Sequence, residues 1–360
     1  MNVLKKGVKP VKKKKTGTVK KKNVKPLLSV IIPTYNCRNF IERLLDSIVN
    51  QNVEISFEVI IQDDNSTDNF MELVEPYKKK LNIKYFQNNP REIHCPGNTR
   101  LDGMSHAEGE WITFIDNDDV FEKTAFLEFK ECLIRQNFGT LIVTEFRQFD
   151  YNTNEYGKEY DVRNITWLHG KFYNRKFLED NNIKFKENLE SNEDLFFNMS
   201  VFAAITVNNL QYSMVKAFTY KWINNPDSIS RSMFTQHKFY IDKYYKDYLH
   251  ASIDPWWDLY EQRPDLEEYI FKRTCYVILY GYFYYQALFF RNNFKHVRSN
   301  RDIFEDILNT AKSKFGATND DICAVIYGDA KQYDKIREDA ANGALNFVEY
   351  ESFYDFINRF

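Results

Sequence analysis

The stretch "LLSVIIPTYN", residues 27–36, decides the fold. Val30, Ile31 and Ile32 sit in an uncharged apolar run that ends at Pro33, the pattern of a strand covered on both faces. In "NFIERLLDSIVNQ" (39–51), Phe40, Ile41, Leu44, Leu45 and Ile48 then fall on one helical stripe. The alternation continues downstream. "FEVIIQ" (57–62) predicts a second buried strand, and "STDNFMELVEPY" (66–77) a helix that opens on capping residues. "IKYFQ" (83–87), "WITFI" (111–115) and "LIVTEF" (141–146) predict further strands, with a weaker helix over "NTRLDGMSHAEG" (98–109). Such alternation needs crossover connections, so the expected fold is α/β: a mostly parallel, Rossmann-like sheet flanked by helices. Beyond about residue 230 the alternation stops and a mainly helical, aromatic C-terminal region is expected. The organisation predicted is a tail over 1–26, an α/β domain over 27–230 and a helical region over 231–360 that is a candidate for acceptor binding.

Ligands of open parallel sheets bind at the carboxyl ends of strands. Three polar clusters fall there: "PTYN" after the first strand, "DDNSTD" after the second and "DNDD" after the fourth. Tyr35 is placed to stack on a flat base, or to serve as a core tyrosine. Asp64 is placed to accept from the N–H of a base such as uracil, or to cap the following helix. Asp116 and Asp118 follow a buried strand in a D-x-D spacing. In this extended or turning segment alternation sends both side chains the same way, so they can share one hard divalent cation, directly or through water. The plain alternative is an acidic turn leading into "EKTAFLEFKECL". Glu193 and Asp194 open an apolar helical run, where acids suit the helix dipole. One of them is also placed to take a proton from an attacking hydroxyl.

Composition narrows the class. Hydrophobic residues make up 43% and charged residues 28% of the 360, as in an ordinary globular chain, while 31 Phe and 24 Tyr predict bulky cores. Five dispersed cysteines without a CxxC argue against a disulfide framework or a zinc site and fit a reducing compartment. The net charge of −2 conceals a segregation: residues 1–25 hold 11 lysines and no acid, which leaves 38 basic against 51 acidic residues in the remainder. This tail lacks the apolar core of a secretory signal and reads as disordered, able to touch a polyanion. No run of 18 apolar residues suggests a transmembrane helix. The nearest, "CYVILYGYFYYQALFF" (275–290), reads as a buried helix.

"LSVIIPTYN", "DDNSTD", "TR…G…AEGEWITFIDNDD" and "NEDLFF", in this order, resemble the successive signatures of family-2 glycosyltransferases of the GT-A fold. The resemblance covers roughly residues 27–230. It implies inverting transfer of a sugar from a nucleotide donor, usually a UDP-sugar, with Mn²⁺ or Mg²⁺ as cofactor. Carried over by residue, it sets Pro33 and Tyr35 against the base and Asp64 on the uracil N–H, with Arg100 holding the nucleotide. Asp116 and Asp118 match the D-x-D, Asp118 as the direct metal ligand. Asp194 matches the general base, with Glu193 supporting it or contacting the acceptor. His169, Lys221 and Arg231 are the candidates for acceptor or phosphate contacts. The chain departs from the family where Asn65 replaces a common glycine and in the unusual "NNPREIHCPGN" (88–98). No "QxxRW" of processive synthases is present.

The expected acceptor is a glycan or lipid-linked saccharide. The alternative is a hydroxymethylated base of phage-type DNA, for which the lysine tail would suit. A reading of another class is a non-catalytic polyanion-binding module on an inherited fold. The expected location is cytoplasmic, with a membrane-peripheral site or a phage-infected host cytoplasm as variants.

Overall fold

Strand β1 (Leu28–Thr34) lies third from one edge of a nine-stranded sheet, flanked in parallel by β2 (Phe57–Asp63) and β4 (Trp111–Phe114), with β3 (Ile83–Gln87) beyond β2. The computed structural model describes residues 25–51, 53–91, 95–135, 139–225, 240–291, 297–342 and 352–360. Nearly all of the lysine-rich tail, and Arg231, lie outside the described residues.

The continuous apolar runs are explained by burial on both faces. Leu28, Val30, Ile32, Val59 and Ile61 pack in one core with helix α1 (Ile41–Val49). Ile31, Ile60, Ile112 and Phe114 enter a second core on the other face. Because side chains alternate along a strand, one run feeds both layers. Helix α2 (Met71–Val74) is far shorter than its sequence pattern suggests. It gives way to a 3₁₀ turn over Glu75–Lys79, where Pro76 has no N–H to continue the helix. Helix α3 (Pro96–Ser105) starts two residues earlier than expected. The "AEG" that follows is a close approach: a Cβ on Gly109 would sit 2.6 Å from the Ser29 nitrogen. Buried Glu58 accepts from Ser29 Oγ (2.6 Å) and the Glu108 amide (2.8 Å), pinning the end of the sheet opposite the polar clusters.

Past β4 the sheet becomes mixed. A two-residue strand β5 (Val120–Phe121) precedes helix α4 (Ala125–Arg135); then come β6 (Leu141–Asp150), β7 (Glu155–Tyr160), β8 (Lys171–Asn174), α5 (Arg175–Asp180), α6 (Glu193–Val207) and β9 (Ser213–Ile223). β8 runs antiparallel to β4 and β6, and β9 lies between β6 and β5. The sheet order is β3-β2-β1-β4-β8-β6-β9-β5, with β7 pairing β6.

The C-terminal region is helical: α7 (Tyr240–Gln262), α8 (Glu267–Arg291), α9 (Val297–Phe315), α10 (Asn319–Tyr327), α11 (Ala330–Asn342) and α12 (Phe353–Ile357). It has its own core, in which Leu249, Leu279, Tyr282, Leu308 and Ile322 are buried. The apolar stretch at 275–290 lies in α8, where Cys275, Ile278 and Phe283 face that core. Among the described residues no helix is long and apolar enough to cross a membrane. All five cysteines are buried and free. Every described non-glycine residue with a positive φ is an asparagine, eight in all, including Asn36, Asn65, Asn188 and Asn192. Asn65 itself takes a left-handed turn, with φ 66°.

Candidate active site

The carboxyl ends of β1, β2 and β4 bring the polar clusters to one edge. Pro33 sits past the last β1–β4 pair, so its missing N–H costs no ladder bond on that side. Its carbonyl accepts from Asn117 Nδ2 at 3.1 Å, tying the first cluster to the third. Tyr35 follows with 58% of its surface exposed, which removes the core-tyrosine reading. The Asp64 amide donates to the Thr34 carbonyl at 2.8 Å. The Asp64 side chain is buried and accepts from Asn88 Nδ2 at 2.8 Å, and the helix after it starts without a side-chain cap. Asp64 is thus no N-cap. Its neighbour Asp63 instead holds the turn, accepting from the Ser66 amide and from Tyr85 Oη at 2.8 Å.

The "DNDD" segment is a turn, closed by the Asp119 amide donating to the Asp116 carbonyl at 3.1 Å. Strand alternation therefore does not govern it, and the four residues diverge. Asp118 Oδ2 accepts from Asn225 Nδ2 (2.8 Å). Asp119 is buried and fully engaged, accepting from Tyr220 Oη (2.5 Å) and the Ile223 amide (2.7 Å). Asp116 turns inward to Arg100, whose Nη2 donates to Oδ1 at 2.6 Å.

Arg100 is the hub of the site. From helix α3 it is 3% exposed, and its Nη1 donates to Glu193 Oε1 at 2.9 Å and Asp194 Oδ1 at 3.1 Å. Burial alone would favour discharging the guanidinium, but the three carboxylates overrule it and hold it charged. For Asp116, burial works against ionisation, yet Arg100 and then His169 hold its carboxyl well below the usual range. Burial pushes Asp194 up to about 6, with Arg100 opposing and Glu193 and Asp116 adding to the rise. Glu193 is pushed up by the same burial. Asp194 Oδ2 also accepts from the Leu168 amide at 3.3 Å.

His169 is 4% exposed and stacks on Tyr220 at 4.4 Å between ring centroids. Its Nε2 lies 3.9 Å from both Asp116 Oδ2 and Asp119 Oδ2, so it faces the acids and not the open solvent. Lys221 on β9 directs its charge at Glu122, 3.5 Å away, and lies over the rings of Phe149 and Tyr156. Both were singled out in the sequence; the structure adds Asn88, Asn117, Asp119 and Tyr220. Asp119 was visible as an acid in the cluster, but its partner Tyr220 lies 101 residues away and carries no sequence signal.

The donor set suits a hard divalent cation. Ligand atoms of Asp116, Asp119 and His169 lie within 4.8 Å of one another. Burial, then neighbouring acids, raise the proton affinity of Asp118 and Asp119, the mark of crowded negative charge that a cation would relieve. Asp118, expected as the direct ligand, is not in this group, and both Asp119 oxygens are already bonded.

Residues 29–202, which carry this edge with its acid turn and acid-headed helix, match the family model described as glycosyl transferase family 2. Over 223 residues it is 30% identical to the poly(ribitol-phosphate) beta-N-acetylglucosaminyltransferase TarS of Staphylococcus aureus, covering 59% of this chain and 38% of that one. It is 27% identical over 186 residues to the poly(ribitol-phosphate) beta-glucosyltransferase of Bacillus spizizenii, covering 49% of this chain and 29% of the relative. The matched stretch thus spans about two fifths or less of these relatives' length. The crystal structure of TarS 1–349 from Staphylococcus aureus in complex with UDP-GlcNAc superposes with a TM-score of 0.62 at 21% identity, covering 90% of this chain and 98% of that one. The fold is GT-A.

Proposed function

We propose that the chain transfers a sugar from a UDP-sugar to an acceptor hydroxyl, with inversion at the anomeric carbon. The observation that carries this reading is the Arg100 network. A carboxyl poised at about 6 is held by one guanidinium in register with the acid turn where the diphosphate would lie. A base with a proton affinity near neutrality is matched to removing a hydroxyl proton as that oxygen attacks. Asp194 takes this role, with Glu193 fixing Arg100 from the other side. Tyr35 stacks on the uracil, Asp64 accepts from its ring N–H, and Pro33 lies alongside. Asp118, with Asp116, would hold Mn²⁺ or Mg²⁺, and such an ion offsets charge on the departing diphosphate.

For the acceptor we propose a saccharide or polyol-phosphate polymer of the glycan type. The relatives named for poly(ribitol-phosphate) favour it, and make UDP-GlcNAc the first donor to try. The lysine tail that suggested DNA lies outside the described residues and adds no support for that alternative. The test is mass spectrometry of products formed with Mn²⁺ and a panel of UDP-sugars. Acceptors would be poly(ribitol phosphate), mixed glycans and hydroxymethylcytosine duplex DNA. A sugar-sized gain on the polymer or glycan is the expected result, and a gain on the DNA nucleoside would replace the acceptor. No UDP release from any donor, with UDP binding indifferent to Mn²⁺, would overturn the transfer reading in favour of a binding module.

A further inference from the structure

The first turn of α6, which carries Glu193 and Asp194, is held in an unusual way. Its N-cap residue, Asn192, has φ 59° and ψ 20°, a left-handed conformation, and makes no side-chain capping bond. An N-cap ordinarily sits in the extended region and accepts from the second or third amide of its helix. The loop leading to it offers little regular structure either, since Asn188 is also left-handed. The position of the two acids is therefore set by contacts with other parts of the chain.

Two elements supply those contacts. On one side is α3. The Asn188 amide donates to Asn98 Oδ1 at 3.0 Å, and a Cβ on Gly97 would lie 3.0 Å from Glu193 Cβ. On the other side is α7, the first helix of the C-terminal region. Asp247, buried on α7, accepts at Oδ2 from both the Ser191 amide (3.2 Å) and Ser191 Oγ (2.8 Å). One helical turn further on, Ala251 packs with Leu189, Leu195 and Phe196. Asp254 then pairs with Lys186 and His250. Three successive turns of one helix thus grip the loop 186–191 and the base of α6.

We propose that Asp247 is a positioning residue for glycosyl transfer: its carboxylate fixes Ser191, and through it the placement of Asp194. This rests on the function proposed above. Two hydrogen bonds donated to a charged acceptor are stronger than neutral ones and hold the peptide three residues before the base. A displacement of about 1 Å at a reacting group can cost about 100-fold in rate. The α7 contacts described above fall on the loop before α6 and the base of α6, so the effect is expected in turnover and not in nucleotide affinity. The C-terminal region thereby becomes part of the catalytic apparatus as well as a separate core.

The test uses the full chain and four variants: Asp247→Ala, Asp247→Asn, Ser191→Ala and the double Asp247→Ala/Ser191→Ala. Donor turnover gives kcat and KM, calorimetry gives UDP affinity, and amide hydrogen exchange follows residues 189–199. Asp247→Ala is expected to lower kcat by about 10- to 100-fold, with UDP affinity kept within about twofold. Asp247→Asn, which retains an acceptor oxygen, should recover part of the loss. The double variant should lose no more than Asp247→Ala alone, because both changes break one interaction. Exchange should quicken at the start of α6. Unchanged kcat, strictly additive losses, or parallel loss of kcat and UDP affinity would each overturn the proposal. Should Asp247→Ala fail to fold, Asp247→Asn and Ser191→Ala carry the same test. A wild-type chain that turns over no donor strikes at the function reading instead. Exchange at 193–196 then decides the clamp, and unaltered exchange in Asp247→Asn and Ser191→Ala overturns it.

Discussion

Replacing Arg100 with methionine removes the guanidinium bonded to Glu193, Asp194 and Asp116 while keeping a similar buried volume. A unit charge 3.1 Å from Asp194 Oδ1 is worth about 5 kcal/mol at an effective dielectric near 20. That corresponds to ~4 pKa units as a ceiling. Water entry and relaxation reduce it, so a rise of at least ~1 unit in the Asp194 pKa is expected. The sign follows from the role: a general base works ionised, so the wild-type rate climbs as pH rises through about 6. In Arg100→Met that rising limb moves to higher pH, and the chain loses about 3–5 kcal/mol of stability because buried acids lose their partner. The assay is UDP release at saturating donor from about pH 5 to 9, with thermal melts alongside. Arg100→Lys restores charge without the fork, so it should return the limb part of the way. A limb that stays at about 6 in Arg100→Met would refute the electrostatic argument, and a wild-type profile without such a limb would remove Asp194 as the base.

Three further outcomes follow from the site. Asp194→Asn should lower transfer by about 10²- to 10⁴-fold while calorimetry finds UDP binding intact; a full transfer rate would reassign the base. Asp118→Ala should abolish both transfer and the Mn²⁺-dependent part of UDP affinity, and retention of metal-dependent binding would move the ion to other ligands. Tyr35→Ala should weaken UDP binding by about 1–3 kcal/mol, the range for base stacking on an aromatic ring, with kcat little changed. Equal affinity would mean that the exposed ring does not meet the base.

The α/β half was legible because both faces of β1, β2 and β4 are buried, which writes itself as unbroken apolar runs. The polar clusters were legible because they end those runs. Helix α2 was misjudged because Pro76 sits inside an otherwise helical spacing, and the proline decides. β9 was not foreseen. Its outward residues, such as Met214 and Lys216, interrupt the apolar pattern, and its value lies in long-range partners. Tyr220 reaches Asp119 across 101 residues, and Asp247 reaches Ser191 across 56. Hydrogen bonds between distant residues leave no periodicity in the sequence. Arg100 was recognised by its motif, yet its joining of Asp194 to the acid turn became visible only when α3, α6 and the end of β4 met.

The left-handed asparagines have a thermodynamic consequence. Glycine adopts such turns freely, but it also gives the unfolded chain more conformations to lose, by about 0.4–1 kcal/mol relative to a residue with a side chain. A chain of 360 residues with only 12 glycines, which among its described residues turns eight corners on asparagine, gives its denatured ensemble less entropy. Asparagine also brings an amide to the corner. Asn36 accepts from the Thr67 amide at 2.9 Å, joining the turn after β1 to the turn after β2. Heat must therefore break a bond between two corners of the site before either backbone is released.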